Sequence, residues 1–412
     1  MDIICERDIL NDAVTPALYA VSSKNTNQLL ECFLLSADKE DGVLTICGYD
    51  LEKGIKVTLS GDGITIKEGG KIIINAARFS SIIRNLPGGD VSISSGPEFD
   101  VTIGGGRSEF NLHGFDGETF PLIPELKGEK NFRINRKILK NMITSTHFAI
   151  GVNNARPSLN GALFEIKNNG LNIIAIDGNR LALRRSFDGV VSDPGESGEN
   201  LELGFIVPGK SLSELLKLIG DEDETAEIEL TKKHFIISFD NIIYFSRLIE
   251  SEFLDYKRSI KIDPRTTVAI DTKNFTESVE RASLITDDRQ KTLIKLKFKK
   301  EEINIENKEN YGVLEITSAA QLGKATDECD IEIYNEDIEI GFNHRYLLDA
   351  LKAVREDKIL LKFESPTKPM VILPYEVKGE NGENEENTDI SGAMDTEHSK
   401  FLYLVLPIRM RD

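Results

Sequence analysis

The sequence offers little that metal or disulfide chemistry could use. Its 412 residues include no tryptophan and four cysteines, which lie far apart and form no CxxC pair. We therefore expect neither structural zinc nor a disulfide framework, and we predict the reduced thiols of a cytoplasmic protein. The five histidines are equally scattered, so we expect no bound metal and no cofactor.

Signals for membranes and secretion are also missing. No apolar run approaches the roughly 20 residues that span a bilayer. The first ten residues, MDIICERDIL, contain no basic leader followed by a long apolar stretch. A secretory signal is therefore not predicted.

Known catalytic motifs are absent from the sequence. It has no GxxxxGK[ST] loop, GxSxG elbow or HExxH motif, and its glycine-rich run at 103–108 is more typical of a hairpin turn. Asp50 and Asp177 could be imagined as a carboxylate pair for acid–base catalysis. They occupy matching places in separate copies of a repeat, however, so we expect both to cap turns. We predict no catalytic residues.

The sequence does contain a threefold repeat. Residues 72–93 are typical of a strand, an amphipathic helix, a turn and a second strand, and this pattern returns twice. A further helix begins each copy. The matching positions are Ile83, Leu216 and Leu351 in the second helix of each copy and Leu10, Leu139 and Phe275 in the first.

The matching positions Ile83, Leu216 and Leu351 are 133 and 135 residues apart. A period of this length indicates duplicated domains rather than a solenoid. We predict an α+β fold of three tandem domains, each with two helices and antiparallel sheets, at 1–127, 128–262 and 263–412. The acidic stretch 376–400 lies between two apolar strands of the third domain. We interpret it as a solvated hairpin insertion.

Basic residues are concentrated on the second helices, although the net charge of the chain is -19. Those three helices carry Arg78, Arg84, Lys210, Lys217, Arg345, Lys352 and Arg355 against only Glu214 and Asp349. Such faces would let phosphate approach one surface of an acidic protein. The alternative is that Lys and Arg simply favour solvated helix faces, which predicts Glu in comparable numbers.

Four segments resemble the bacterial DNA polymerase III beta subunit, the DNA sliding clamp. They are RPSLNGALFEIKNNGLNIIAIDGNRLAL (156–183), FPLIPEL (120–126), IGFNHRYLLDAL (340–351) and YLVLPIRM (403–410). The resemblance covers essentially the whole chain. It implies a non-catalytic, head-to-tail homodimer whose six clamp domains form a ring around duplex DNA.

The resemblance also implies partners and site residues. Partners would be duplex DNA, without regard to sequence, and the DNA polymerase III alpha subunit, the clamp loader, other DNA polymerases and repair proteins, each bound through a short peptide. The implied DNA-facing residues are Lys24, Arg78, Arg84, Arg156, Lys210 and Lys217. The implied peptide cleft contains Leu159, Ile176, Gly178, Asn179, Arg180, Leu181, Asn343, Tyr346, Thr367, Leu406, Pro407, Ile408, Arg409 and Met410.

For the dimer contact, the resemblance implies that Leu284 and Ile285 face the first domain of the partner. Basic Arg78 and Arg107 would then face acidic Asp327 and Glu328. The chemistry of the cleft is independently reasonable, since an apolar C-terminal run with a methionine suits varied peptide ligands.

The chain departs from the family at several positions. It adds Arg411 and Asp412 after Met410, and it has Asn179 where many members have His. The insertion 376–400 could control access to the cleft. Two other functions remain open on the residues alone: a peptide-binding scaffold that does not encircle DNA, and a hydrolase that uses Asp50 or Asp177.

Overall fold

The structure of the protein is a computed structural model. It describes residues 1–22, 27–124, 126–167, 169–187, 190–191, 202–286, 293–301, 310–320, 323–375 and 399–410. Three features predicted from the sequence lie outside the described residues. These are Lys24, the part of the acidic insertion from 376 to 398, and the two terminal residues Arg411 and Asp412.

Among its described residues, the first copy of the repeat contains ten strands and two helices. In chain order they are β1 (Asp2–Glu6), α1 (Arg7–Ala17), β2 (Cys32–Asp38), β3 (Val43–Tyr49), β4 (Lys53–Leu59), β5 (Ile64–Glu68), β6 (Gly70–Asn75), α2 (Ala76–Asn85), β7 (Asp90–Ser95), β8 (Asp100–Gly105), β9 (Ser108–His113) and β10 (Phe115–Asp116). Short 3₁₀ turns lie at Leu18–Ala20, Gln28–Glu31 and Gly117–Thr119.

The second copy follows the same plan. It contains β11 (Lys130–Asn135), α3 (Arg136–His147), β12 (Gly161–Lys167), β13 (Gly170–Ile176), β14 (Arg180–Ser186), β15 (Val190–Val191), β16 (Leu203–Pro208), α4 (Gly209–Leu218), β17 (Thr225–Leu230), β18 (His234–Phe239) and β19 (Ile242–Arg247). A 3₁₀ turn lies at Pro157–Asn160, and the linker to the third copy holds the short helix α5 (Tyr256–Ser259).

The third copy completes the chain. It contains β20 (Thr266–Asp271), α6 (Thr272–Ser283), β21 (Leu293–Lys300), β22 (Tyr311–Ala320), β23 (Gly323–Asn335), β24 (Ile338–Asn343), α7 (His344–Lys352), β25 (Lys358–Phe363), β26 (Met370–Pro374) and β27 (Phe401–Val405). The two helices predicted in each copy are therefore confirmed. The strands β26 and β27 that flank the acidic insertion pair as an antiparallel hairpin.

Contacts group the chain into two compact units. The first unit comprises 1–137, 190–199 and 210–249, and the second comprises 138–189, 200–209 and 250–412. The first unit holds a five-stranded sheet, β5-β1-β7-β8-β9, and a ten-stranded sheet, β10-β6-β2-β3-β4-β19-β18-β17-β11-β15. The second holds a twelve-stranded sheet, β16-β12-β13-β14-β27-β26-β25-β20-β23-β22-β21-β24.

Each large sheet joins strands from two copies of the repeat. In the first unit β4 pairs with β19, and in the second unit β14 pairs with β27. All strand pairs in the described part of the chain are antiparallel. Side chains alternate between the two faces of a sheet, so a strand buried on one face shows alternating apolar residues. A strand buried on both faces is a continuous apolar run.

Three of the helices begin where the sequence supplies a side-chain acceptor for a free backbone N–H. Asn75 Oδ1 accepts from the N–H of Arg78 at 3.0 Å at the start of α2. At the start of α7, Asn343 Oδ1 accepts from the N–H of Arg345 at 3.0 Å. At the start of α6, Asp271 Oδ1 accepts from the N–H of Asn274 at 2.7 Å. Asn and Asp are preferred at this position because they satisfy one of the orphan donors of the first turn.

One face of each second helix packs into the core. Phe79 and Ile83 on α2, Leu215 on α4 and Leu347 and Leu351 on α7 are essentially inaccessible to solvent. This is the 3.6-residue apolar stripe that predicted the helices. None of the helices in the described ranges is both long and apolar enough to cross a membrane.

Candidate functional site

Two tight turns occupy equivalent places in the two large sheets. After β13, Asp177 Oδ1 accepts hydrogen bonds from the N–H groups of Asn179 and Arg180 at 2.8 and 3.1 Å. After β3, Asp50 Oδ1 accepts from the two corresponding N–H groups at 3.0 and 2.9 Å. The short Asp carboxylate is well suited to this turn. The turn-capping role predicted for both residues is confirmed.

The guanidinium of Arg180 is held by two carboxylates and two aromatic rings. Its Nε donates to Asp177 Oδ2 at 2.9 Å, and its Nη1 donates to Asp349 Oδ2 at 2.5 Å. Its central carbon lies 4.7 Å from the ring centroid of Tyr346 and 5.3 Å from that of Phe148. The planar guanidinium suits such bonding and stacking together. Arg180 is therefore a fixed, charge-compensated side chain.

The chain that follows β27 is anchored at two points. The N–H of Leu406 donates to the carbonyl of Asn179 at 2.9 Å, and the N–H of Ile408 donates to the carbonyl of Gly341 at 2.8 Å. Leu406 is 37% exposed, whereas the preceding Val405 is fully buried. The two bonds hold this terminal stretch beside the turn after β13 and beside β24.

The terminal stretch leaves apolar side chains within reach of solvent. Pro407, Ile408 and Met410 are half-buried, and Arg409 is exposed. A glycine at position 341 permits the close approach, because a Cβ there would lie only 3.2 Å from Met410 Cγ. The partial exposure matches the sequence-based expectation for an apolar run that ends at the surface.

Buried side chains form a floor next to this stretch. Leu159, Ile176 and Leu181 belong to one apolar cluster with Val371 and Leu404. The strand registers place Ile176 opposite Leu181, Leu181 opposite Leu404, and Leu404 opposite Val371. We name the floor, Arg180, Tyr346 and residues 406–410 together the C-terminal surface.

Other cleft residues predicted from the sequence have local roles in the structure. Gly178 is exposed in the turn after β13 with a φ of 97°, which glycine adopts without strain. Asn343 caps α7. Thr367 is exposed in the turn between β25 and β26, where its hydroxyl lies 3.4 Å from that of Ser365. Its assignment to the cleft rests on the resemblance alone.

The sequence reasoning missed part of the floor. Phe253, Leu254 and Tyr256 pack against the same cluster as Leu159 and Leu181. Tyr256 is buried and donates its hydroxyl to Glu165 Oε2 at 2.5 Å. The apolar residues of the motif FLDY at 253–256 were the available signal in the sequence.

Five residues predicted to face DNA lie in the described part of the chain. All five are exposed: Arg78, Arg84, Arg156, Lys210 and Lys217. The Lys217 ammonium lies 5.2 Å from the ring centroid of Tyr19, close enough for a cation–π contact. The long side chains of all five residues are therefore already in solvent, where a polyanion can contact them.

The two acidic residues on the second helices are engaged elsewhere. Glu214 Oε2 lies 2.9 Å from Lys53 Nζ, which is also 2.9 Å from Asp50 Oδ2. Asp349 is bound by Arg180 at the equivalent place in the other unit. Each of the two acidic side chains that lower the positive charge of the second helices is therefore paired with a basic side chain from the preceding copy of the repeat.

Arg136, the first residue of α3, is buried and paired. Its side chain is only 3% exposed. It donates to Glu224 Oε2 and Asp240 Oδ2, each at 2.7 Å, and stacks over Phe239 at 5.5 Å. Its position at the first residue of the helix hid these partners, which lie about a hundred residues further along.

We expect Lys53→Met to destabilise the fold by about 3 kcal/mol, because removing one member of a buried ion pair leaves an uncompensated charge. Lys53 is 4% exposed and Glu214 is 13% exposed. Burial already raises the pKa of Glu214, even with Lys53 opposite. Urea unfolding at neutral pH measures the loss.

The matched control is Lys53→Met combined with Glu214→Leu, which should recover the part of the loss that comes from Glu214, since Asp50 loses its Lys53 partner in both variants. The raised pKa of Glu214 also sets the pH dependence. The contribution of Glu214 to stability is fully present below its ordinary pKa of 4.5. It is lost as the pH rises through the higher pKa that Glu214 has in the folded state. The deficit of the single variant should therefore shrink in acid. A double variant no more stable than the single one would contradict this account.

The predicted dimer residues are largely accessible. Leu284 is 83% exposed at the end of α6, Ile285 is half-buried, and Arg107 is exposed in the turn between β8 and β9. Glu328 is exposed as well. Strands β8 and β9 pair antiparallel, with Gly105 opposite Ser108, so the hairpin predicted for the glycine-rich run at 103–108 is confirmed.

Asp327, which the resemblance assigns to the dimer contact, is already paired within its own chain. Arg281 Nε donates to Asp327 Oδ2 at 2.5 Å, and Nη2 donates to Oδ1 at 3.1 Å. The Arg281 guanidinium holds the pKa of Asp327 below its ordinary value. The sequence reasoning also missed Phe110, which is 40% exposed on the edge strand β9.

The four cysteines are poor candidates for thiol chemistry. All four cysteines are buried, and burial raises the pKa of Cys5 and Cys32 to about 11 and that of Cys47 to about 12. Such thiols are poor nucleophiles. Within the described ranges, no group of three His, Cys, Asp or Glu side chains could hold a metal ion.

Comparisons with known proteins agree with the threefold repeat. Family profiles of the DNA polymerase III beta subunit match in series: the N-terminal domain at 1–124, the central domain at 133–255 and the C-terminal domain at 258–381. A protein named beta sliding clamp from Halalkalibacterium halodurans is 31% identical over 419 residues, covering 99% of this chain and 100% of the relative.

Further relatives give the same result. A beta sliding clamp from Staphylococcus aureus is 30% identical over 381 residues, covering 91% of this chain and 96% of the relative. The crystal structure of the DNA polymerase sliding clamp from Bacillus subtilis superimposes with a TM-score of 0.86 at 28% identity, covering 100% of both chains.

The fold is thus that of three tandem clamp domains, built mostly from antiparallel sheets. The chain belongs to the DNA polymerase III beta subunit family. Members of this family are non-catalytic processivity factors.

Proposed function

We propose that the chain is a DNA sliding clamp. Two copies form a closed ring of six domains around duplex DNA, and the ring tethers replication and repair proteins to it. Tethering by topology needs only weak, sequence-independent contacts with the phosphates. The chain therefore acts as a mobile platform and catalyses no reaction.

The observation that carries this proposal is the separation of charge on the second helices. Arg78, Arg84, Lys210 and Lys217 are exposed, while Glu214 is compensated internally by Lys53. The helices therefore offer cations to solvent on a chain whose net charge is -19. Phosphate is attracted to such a surface and repelled by the acidic remainder.

We expect neutralising these four residues to Gln to weaken the electrostatic contact with DNA. Each lost phosphate contact lowers the slope of log K against log salt by about 0.9. The full set should therefore reduce the slope by about 3.6 for each chain of the ring and shorten retention on circular DNA. Titrating duplex DNA at several salt concentrations measures the slope.

The control variant replaces four exposed lysines that lie away from the helices, Lys39, Lys127, Lys232 and Lys233, with Gln. It changes the net charge by the same amount. If both variants lost the same salt sensitivity, the effect would come from net charge and the proposed inner face would be wrong.

Topology is tested by loading the protein onto nicked circular DNA with its clamp loader and then linearising the DNA. A closed ring stays on the circle and slides off the linear form. The alternative function, a peptide-binding scaffold that does not encircle DNA, predicts equal retention on both. Equal retention would therefore reject the clamp proposal.

We propose that the ring closes through Leu284 and Ile285 of one chain against the first domain of the other. Exposed apolar side chains of this size commonly mark an interface. Arg107 and Arg78 then face Glu328, while Asp327 contributes less than the sequence suggests because Arg281 already binds it. Phe110 on the edge strand β9 adds an apolar contact to the same interface.

We propose that the C-terminal surface binds short peptides of the QLxLF type. The DNA polymerase III alpha subunit, the clamp loader, other DNA polymerases and repair proteins would present them. Leu406, Ile408 and Met410 supply adaptable apolar contacts beside a floor of Leu159 and Leu181. Arg180 and Tyr346 form a rigid wall, which lowers the entropy cost of binding.

A further inference from the structure

Each second helix carries a basic residue in its last turn. These residues are Arg84 on α2, Lys217 on α4 and Lys352 on α7. They directly follow the matching positions of the repeat, Ile83, Leu216 and Leu351. All three basic side chains are exposed. The repeat therefore presents the same cation three times, and its surroundings can be compared between copies.

In the third copy this cation is paired with a carboxylate of the first helix. Lys352 Nζ lies 2.8 Å from Glu280 Oε1 on α6. The two side chains are 58% and 45% exposed, so the pair lies at the surface. A phosphate that binds Lys352 must displace Glu280 and then lie close to its negative charge. The pair therefore lowers the attraction of this position for phosphate.

The starts of the first helices show which residues correspond to Glu280. Glu6 is the residue before α1, and Asp271 is the residue before α6. Counted from these two residues, Thr15 stands where Glu280 stands. The same count from the start of α3 gives Thr144. Two copies therefore have a neutral threonine where the third has a carboxylate.

Arg84 consequently lacks the partner that Lys352 has. The helix α1 packs against α2 in the first unit, and α6 packs against α7 in the second. The hydroxyl of Thr15 donates to the carbonyl of Asn11 at 2.8 Å within α1, and it carries no charge. Within the described residues, Arg84 forms no ion pair. Its full positive charge is therefore available to a phosphate.

The basic residues of α6 are paired as well. Lys273 Nζ lies 3.9 Å from Glu277 Oε1, and Arg281 Nη1 lies 3.9 Å from Glu277 Oε2. Arg345 and Arg355 on α7 are exposed, so some positive charge remains in the third copy. The third copy thus compensates the cations of its first helix and also the last-turn cation of its second helix.

We propose that Glu280 lowers the affinity of the third copy for DNA, so that phosphate binding falls mainly on the first two copies. Glu280 acts by occupying Lys352, which becomes the equivalent of Arg84 once the carboxylate is removed. This inference rests on the proposed binding of DNA to the second helices. The ligand of the released position is a backbone phosphate of duplex DNA, bound without regard to sequence.

Glu280→Thr gives the third copy the residue that the other two copies have. We expect it to steepen the slope of log K against log salt by about 0.9 per chain, because one further phosphate contact forms. Titrating duplex DNA at several salt concentrations measures the slope. Glu280→Thr combined with Lys352→Gln has the net charge of the natural chain, and its slope should return to the natural value.

The matched control is Glu118→Thr, which changes the net charge by the same amount as Glu280→Thr. Glu118 pairs with Lys71 at 2.9 Å on an exposed surface, and the two residues lie in a 3₁₀ turn and on β6. The slope of this control should stay near the natural value. An equal gain in both variants would assign the effect to net charge and overturn the proposal. A gain that persists when Lys352→Gln is added would overturn it as well.

The reciprocal change, Thr15→Glu, gives the first copy the carboxylate of the third. The new side chain should pair with Arg84 and flatten the slope by about 0.9 per chain. Thr15→Gln is nearly the same size and uncharged, so its slope should remain natural. If Thr15→Glu bound DNA with the natural slope, the proposed action of the carboxylate would be wrong.

The natural chain separates failure of this inference from failure of the proposed function. Binding to duplex DNA that does not depend on salt would reject the proposed phosphate contact itself. A steep salt dependence that Glu280→Thr leaves unchanged would reject only the role of Glu280. Circular dichroism checks the fold of each variant, which should be intact because exposed ion pairs contribute little to stability.

Discussion

Leu406→Asp combined with Ile408→Asp is expected to weaken binding of a QLxLF-type peptide by about 100-fold or more, because central apolar contacts of an interface are each worth about 2 kcal/mol or above. Leu406 is 37% exposed and follows the fully buried Val405. Charges at these positions would face apolar peptide side chains. Fluorescence polarisation with a labelled peptide measures the change.

The fold should tolerate this double change. The bonds that anchor the terminal stretch come from the backbone N–H groups of Leu406 and Ile408, and substitution leaves them in place. The matched control is Leu51→Asp with Leu122→Asp, two exposed leucines of the first unit at 47% and 92% exposure. The control should bind peptide normally. Peptide affinity unchanged in the Leu406 and Ile408 variant would place the docking site elsewhere.

Leu284→Asp with Ile285→Asp is expected to raise the dissociation constant of the dimer by about 100-fold, since burying two carboxylates without partners costs several kcal/mol. Leu284 is 83% exposed, so the isolated chain loses little from the change. Sedimentation velocity across a range of protein concentrations measures the dissociation constant.

Peptide binding separates this result from misfolding. The dimer variant should still bind one labelled peptide per chain, and it should no longer be retained on circular DNA. The control with Asp at Leu51 and Leu122 should remain dimeric. A Leu284 and Ile285 variant that sediments as a dimer at low micromolar concentration would rule out this contact.

The sequence predicts the helices and the strands because both depend on local residue patterns. It predicts the threefold repeat because each copy carries the same local patterns in the same order. Phe79 and Ile83 are four residues apart, and this spacing alone places them on one helix face. Turn capping by Asp50 and Asp177 is equally local, since each carboxylate bonds N–H groups two and three residues ahead. Such features need no knowledge of what packs against them.

The partners of charged residues could not be predicted in this way. Arg136 bonds Asp240, 104 residues further along, and Arg180 bonds Asp349 at a separation of 169 residues. No periodicity encodes these pairs, so a residue that the sequence presents as a free cation can prove fully compensated. The floor residue Tyr256 was missed for the same reason.

Family resemblance fills part of this gap but does so unevenly. The structure puts Leu159 and Leu181, two residues that the resemblance assigns to the cleft, in one apolar cluster, and it bonds the N–H of Leu406 to the carbonyl of Asn179. Asp327, which the resemblance assigns to the dimer contact, is bound by Arg281 within the same chain, and its role toward a partner chain stays a prediction. Resemblance carries over positions, and the local charges then decide what each position does.

The pairing of β4 with β19 has a consequence for dividing the chain into fragments. A fragment that stops at residue 127 would keep β4 and lose its neighbour β19. The unpaired backbone N–H and C=O groups of this exposed edge strand can form hydrogen bonds with strands of other molecules. A single repeat produced alone should therefore tend to aggregate, although its sequence looks self-sufficient. The smallest part that could be expressed intact is set by where sheets end, and the sequence repeats end elsewhere.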